Sequence, residues 1–213
     1  MSVDYTATLG MGYIISEEEA KRIKELPDYE EKWDGDLLAF NGYSGVGEHF
    51  FGEVYGEAES ADYTEPWMPN DFCAARKFVA KKYGPVLSKQ YELDEPALIL
   101  FNRVWWYIMG VNYQAGLGVG YMISYEKARE IEKTNVDIYD NYVYALNYYW
   151  DPCDTEYFFG FMKEKSDLNY DLKPIQINPN EYEALKPIVR QAASQYIENL
   201  DQDPQIYLIP MVW

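Results

Sequence analysis

The most specific pattern in the sequence is Leu-Gly-x-Gly-Tyr, present twice, at Leu9–Tyr13 and Leu117–Tyr121. Closely spaced glycines let a backbone approach a ligand or a second backbone. Gly10, Gly12 and Tyr13, with Gly118, Gly120 and Tyr121, are therefore candidates to line a small-molecule, nucleotide-like site at the interface of two related halves. Glycines inside a strand equally mark a bulge, and this structural role is the expected one. A dinucleotide fingerprint would need a third glycine where Ile15 and Ile123 stand, and no Gly-Lys-Ser/Thr phosphate loop occurs.

Carboxylates form the second candidate set. The 213 residues hold 36 Asp+Glu against 18 Lys+Arg, a formal charge of −18. Such a field repels phosphates and anionic membrane surfaces and attracts a basic protein surface. Glu30, Glu31, Asp34, Asp36, Glu57, Glu59, Asp151, Asp154 and Glu156 are the acidic candidates for contact with such a partner. Tyr148 and Trp150 join them, because Tyr and Trp bury large area with few rotors. Paired carboxylates can serve glycoside hydrolysis or hold divalent cations, but no calcium-loop spacing occurs and no cluster recurs in both halves. His49 is the one histidine, and Cys73 and Cys153 sit in no metal or redox pattern. The expectation is a non-enzymatic protein with no catalytic residue, no metal and no cofactor.

The elements that carry these residues follow from an internal duplication. At a shift of 108, residues 5–25 (YTATLGMGYIISEEEAKRIKE) match residues 113–133 (YQAGLGVGYMISYEKAREIEK) at eleven positions. Phe50-Phe51-Gly52 meets Phe158-Phe159-Gly160 at the same shift, and Pro69-Asn70 meets Pro179-Asn180 after a slip of two. The predicted organisation is repeat unit one over 1–106, a short linker over 107–112 and repeat unit two over 113–213. The apolar stretch from Val104 to Tyr125 then reads as two strand ends rather than a membrane span. Charge is shared, with 20 acidic and 10 basic residues up to Trp106 and 16 and 8 beyond it.

Each unit opens with alternating apolar residues, Tyr5, Ala7, Leu9 and Tyr113, Ala115, Leu117, which is strand periodicity. Ser16 with Glu19 forms a capping box before the stripe Ala20, Ile23, Leu26, whereas Lys127 replaces the box glutamate in unit two. A hairpin of Asp36–Tyr43 with His49–Glu57, and of Tyr142–Tyr149 with Glu156–Lys163, comes next. A second helix and a final strand, Ala97–Trp106 or Ile206–Trp213, close the unit. In unit two Ile188, Val189, Ala192, Ala193, Tyr196 and Ile197 are expected to form the buried face of that helix. The order β-α-β-β-α-β predicts an α+β chain built as a tandem duplication of a ferredoxin-like unit, with helices packed on antiparallel sheets.

The opening Met1-Ser2-x-Asp4-Tyr5-x-Ala7-x-x-Gly10-x-Gly12-Tyr13 resembles that of small acidic bacteriophage proteins of uncharacterised function. The resemblance covers about the first 13 residues. It implies an early phage protein directed at host defence, an anti-CRISPR or anti-restriction inhibitor acting as a DNA mimic in the host cytoplasm. No secretory leader pattern is read at the N-terminus, and two cysteines make no disulfide framework, so a cytoplasmic setting is expected. Its partner would be a basic surface, such as a nucleic-acid-binding enzyme, with no direct nucleic-acid or membrane contact.

Overall fold

The computed structural model describes residues 5–39, 48–59, 63–104, 113–145, 157–165, 179–198 and 200–212. The first half runs β1 (Tyr5–Ile15), α1 (Glu17–Lys24), α2 (Tyr29–Lys32), β2 (Leu37–Ala39), β3 (His49–Glu59), α3 (Phe72–Tyr83) and β4 (Ala97–Val104). The second runs β5 (Tyr113–Ile123), α4 (Tyr125–Thr134), α5 (Val136–Tyr142), β6 (Val143–Ala145), β7 (Tyr157–Lys165), α6 (Pro179–Ala193) and β8 (Gln205–Val212). Two four-stranded sheets result, ordered β2-β3-β1-β4 and β6-β7-β5-β8, with every neighbouring pair antiparallel. The molecule is thus a two-sheet α+β protein. Within the apolar stretch from Val104 to Tyr125, Val104 ends β4 and Tyr113–Ile123 form β5, and no helix among the described residues is long and apolar enough to cross a membrane.

Strand alternation sends Ala7, Leu9, Met11, Tyr13 and Ile15 to one face of β1, all buried. There they join Ala20 and Ile23 of α1, Val79 and Tyr83 of α3, and Phe51 of β3. The same apolar cluster takes in Ala115, Leu117 and Val119 of β5, Tyr182 and Val189 of α6, and Leu208 of β8. The two halves therefore share a core, and β1 lies against both β5 and β8. On the other face of the first sheet, Leu38, Phe50, Ile99 and Phe101 form a separate buried cluster.

Main-chain hydrogen bonds also join the halves. The Thr64 N–H donates to the Leu208 carbonyl (3.2 Å) and the Leu208 N–H donates to the Thr64 carbonyl (2.8 Å), on the edge of β8 away from β5. The same segment is anchored on β3: Pro66 covers Gly56, and the Trp67 N–H donates to the Tyr55 carbonyl at 2.7 Å. The Tyr63 and Tyr207 rings meet edge to face, centroids 5.5 Å apart.

Several elements differ from the sequence expectation. α2 is a single turn, and α5 is started by Asn135, whose side chain accepts from the Ile138 N–H. Both helices precede the first hairpin strand of their half, described over Leu37–Ala39 and Val143–Ala145; residues 40–43 and 146–149 of the expected strands lie outside the described residues. Ile188 is 58% exposed on α6, while Tyr182, Val189 and Ala193 are buried. The capping box is half made. Ser16 accepts from the Glu19 N–H, but the Ser16 N–H donates to the Tyr91 hydroxyl at 2.9 Å, leaving the Glu19 carboxylate to other partners.

Candidate functional site

The glycines of the repeated motif lie on the central strand pair of each sheet. Gly12 stands directly opposite Gly52, and Gly120 directly opposite Gly160. One step away the register shifts, between Leu9 and Gly10 and again between Leu117 and Gly118, so each sheet carries a bulge at the same place. The Phe50 ring occupies the space that side chains at Gly10 and Gly12 would need, Cζ 2.6 Å from the Cβ position of the former and Cε2 2.8 Å from that of the latter. Phe158 covers Gly118 (Cζ 3.0 Å) and Gly120 (Cε2 2.6 Å) in the same way. Both rings are fully buried. The glycines thus accept a phenyl ring and a close strand where a side chain would otherwise stand.

The tyrosine that ends each motif turns toward the connection leading into the last strand of its own half. Burial raises the Tyr13 pKa, and the carboxylates of Asp94 and Glu95 raise it further. The Tyr121 hydroxyl donates to the Gln202 carbonyl at 3.3 Å; burial raises its pKa, Arg190 opposes the rise and Asp203 adds to it.

The acidic candidates divide. Glu30 and Glu31 on α2 and Asp34 in the turn that follows are exposed, and no ion pair engages them among the described residues. Tyr29 beside them has its pKa pushed up to about 12 by burial and by Asp34. Glu57 is held by the Thr8 hydroxyl (3.3 Å) and by Arg103 (2.7 Å), and Glu59 is exposed opposite Thr6. Phe51 pairs with the start of β2, so Glu59 lies about 26 Å along β3 from the α2 end at roughly 3.3 Å per residue. The two sets are separate surfaces. Tyr148, Trp150, Asp151, Asp154 and Glu156 lie outside the described residues.

Asp36 belongs to a polar cluster that the sequence did not announce. The Lys82 Nζ lies 3.2 Å from Asp36 Oδ2 and 2.6 Å from Glu53 Oε1, and the Tyr83 hydroxyl is 2.9 Å from both of those oxygens. Tyr83 is fully buried. Burial first, then the two carboxylates, drive its pKa far up, so it stays a neutral donor. Burial would lower the Lys82 pKa, but its bonds to Glu53 and Asp36 outweigh that and raise it. The cluster ties α3 to β3 and to the turn before β2. These four residues come from three distant segments and form no motif, and the positions matching Glu53, Lys82 and Tyr83 in the second half hold Phe161, Ala192 and Ala193.

No protein-family model, curated protein or solved structure matches the chain. Among the described residues no group of three or more His, Cys, Asp or Glu side chains is placed to hold a metal ion. Chemically, the molecule presents carboxylates at its surface and engages most of its cations internally. Lys21, Arg22, Lys32, Lys82, Arg103, Lys127, Arg129, Lys163, Lys186 and Arg190 are all bonded to carboxylates of the same chain.

Proposed function

We propose that this protein is a non-enzymatic acidic binding protein that occupies the nucleic-acid-binding groove of a basic partner, in the manner of a phage inhibitor of a host defence enzyme. One observation carries the reading: Glu30, Glu31 and Asp34 stand exposed, with no ion pair among the described residues, on a chain whose net charge is −18. Carboxylates fixed on a short helix and the turn after it present negative charge from a folded surface, where a nucleic acid would present phosphates. Association driven this way is fast and falls with ionic strength.

The reading extends to architecture. Each half is proposed to be a ferredoxin-like unit and the chain their tandem duplication. The equal strand orders, the bulge at the same Leu-Gly step and the Gly12–Gly52 and Gly120–Gly160 pairs support it.

The test is passage of the protein over immobilised restriction and CRISPR nucleases at low and high salt. Retention at low salt, release at high salt and displacement by duplex DNA are expected, and E30K/E31K/D34K is expected to abolish retention. Absence of any salt-dependent partner, or retention unaltered in the triple variant, overturns the assignment.

A further inference from the structure

α3 is the cationic element of an acidic chain. Its 12 residues carry Arg76, Lys77, Lys81 and Lys82 and no carboxylate. Lys82 is held by Asp36 and Glu53, and Arg76 lies 3.5 Å from Glu95. Lys77 and Lys81, one turn apart, are exposed, and no ion pair engages them among the described residues. Phe78 stands with them, 58% exposed. It comes four residues before Lys82, so it lies on the flank of α3 that Lys82 turns toward Asp36. On α6, Ile188 matches Phe78 and is equally exposed, but Pro187 and Gln191 stand where Lys77 and Lys81 do. The cationic surround belongs to the first half.

Its complement lies beside it. Lys82 Nζ reaches Asp36 at 3.2 Å and the Trp33 and Tyr83 rings meet with centroids 5.6 Å apart, so α2 and the turn after it adjoin the C-terminal end of α3. Glu30, Glu31 and Asp34 are exposed there, again with no ion pair among the described residues. The turn is open, with nothing within 4 Å of the Cβ position at Gly35. Two opposite charge sets, adjacent but unjoined within one molecule, are complementary to themselves under a half-turn. A two-fold axis between them lays α3 of one copy on the α2 turn of the other, and the reverse, in a single isologous contact.

We infer that a second copy of this chain docks on the outer face of α3. Lys77 and Lys81 then meet Glu30, Glu31 and Asp34 of the second copy, and Phe78 is the apolar centre of the contact. Both charge sets are consumed in the pair, so assembly closes at two. Ionic strength gives this association a signature. Screening reaches about 30 Å at about 0.01 M salt, where two chains of charge −18 repel as whole molecules, but only about 8 Å at about 0.15 M, where ion pairs in direct contact persist. Self-association therefore strengthens from low to physiological salt, the reverse of the salt-released capture proposed above. It does not rest on that function, although the dimer covers the same carboxylates.

Sedimentation equilibrium of the full chain at those two salt concentrations is the test. A monomer is expected at the lower and a monomer–dimer equilibrium, with no larger species, at the higher. K77E/K81E and E30K/E31K/D34K are each expected to stay monomeric, because each sets like charges against like. Mixed in equal amounts, the two variants are expected to form a heterodimer, since an acidic α3 then meets a basic α2 turn at one contact and the original pairing stands at the other. Phe78→Ser should weaken the dimer about tenfold or more, because each copy loses an apolar anchor. A monomer at both salt concentrations, a dimer that survives K77E/K81E, or failure of the two variants to pair overturns the proposal. K77E/K81E keeps Glu30, Glu31 and Asp34, so its retention on immobilised nucleases reports the proposed function separately.

Discussion

The Phe50 ring fills the space above Gly12, its Cε2 2.8 Å from where a side chain there would begin. The ring cannot retreat freely, because it is fully buried against Phe101, with centroids 5.3 Å apart. On the strand side the Phe51 carbonyl comes closer still to the same position, at 2.5 Å. Gly12→Ala and Gly120→Ala should each cost about 1–3 kcal/mol, the usual range for overpacking a filled core. Gly35→Ala meets nothing within 4 Å and should leave stability unchanged. Urea denaturation of the three variants checks the contrast.

Two buried tyrosines should respond in opposite directions to loss of their hydroxyls. Tyr83 donates within the Lys82–Asp36–Glu53 cluster, and Tyr83→Phe should destabilise by about 1 kcal/mol. Among the described residues the buried Tyr182 hydroxyl has no hydrogen-bond partner, and the matching residue in the first half is Phe72. Tyr182→Phe should therefore be neutral or stabilising. Thermal melts that lowered both variants equally would refute the distinction.

Stability should fall on the alkaline side. Burial, before any neighbouring charge, raises the pKa of Tyr83 and Tyr182, and pushes Tyr55 and Tyr207 up to about 12. Each phenol stays protonated in the fold but ionises near 10.0 once unfolded. Their contribution is complete below about pH 10 and is lost as pH rises beyond it. Glu19 acts in the opposite sense: its lowered pKa adds stability that disappears as pH falls below the ordinary value of 4.5. Unfolding midpoints followed from pH 7 to 11.5, with Tyr83→Phe for comparison, should show the alkaline decline.

The shared core predicts that the halves unfold together. Tryptophan fluorescence and far-ultraviolet circular dichroism should give coincident transitions. Thr64→Pro removes one donor and leaves the Leu208 carbonyl without its partner, at a cost of about 1–3 kcal/mol. Two separated transitions in the unaltered protein would contradict a common core.

The sequence made the repeated features legible. Gly-x-Gly and Phe-Phe-Gly recur at one offset because they meet in space, ring over glycine, in both sheets. The strand alternation of Ala7 and Leu9, or Ala115 and Leu117, likewise reports a buried face directly. What escaped were features made by long-range encounters: Lys82 with Asp36 and Glu53 has no local signature. α5 was hidden because its start depends on a side-chain cap at Asn135, within a run otherwise read as approaching a hairpin. Ile188 was misplaced because an apolar residue next to Val189 suggested a wider buried stripe than α6 possesses.

Both main-chain groups of Leu208 that point away from β5 are taken by Thr64. A strand whose outward groups are satisfied by its own chain cannot template a foreign strand at that point. At longer range the net charge of −18 makes identical molecules repel one another. The protein is thereby guarded against aggregation twice, once at the distance of a hydrogen bond and once at the distance of a charged surface.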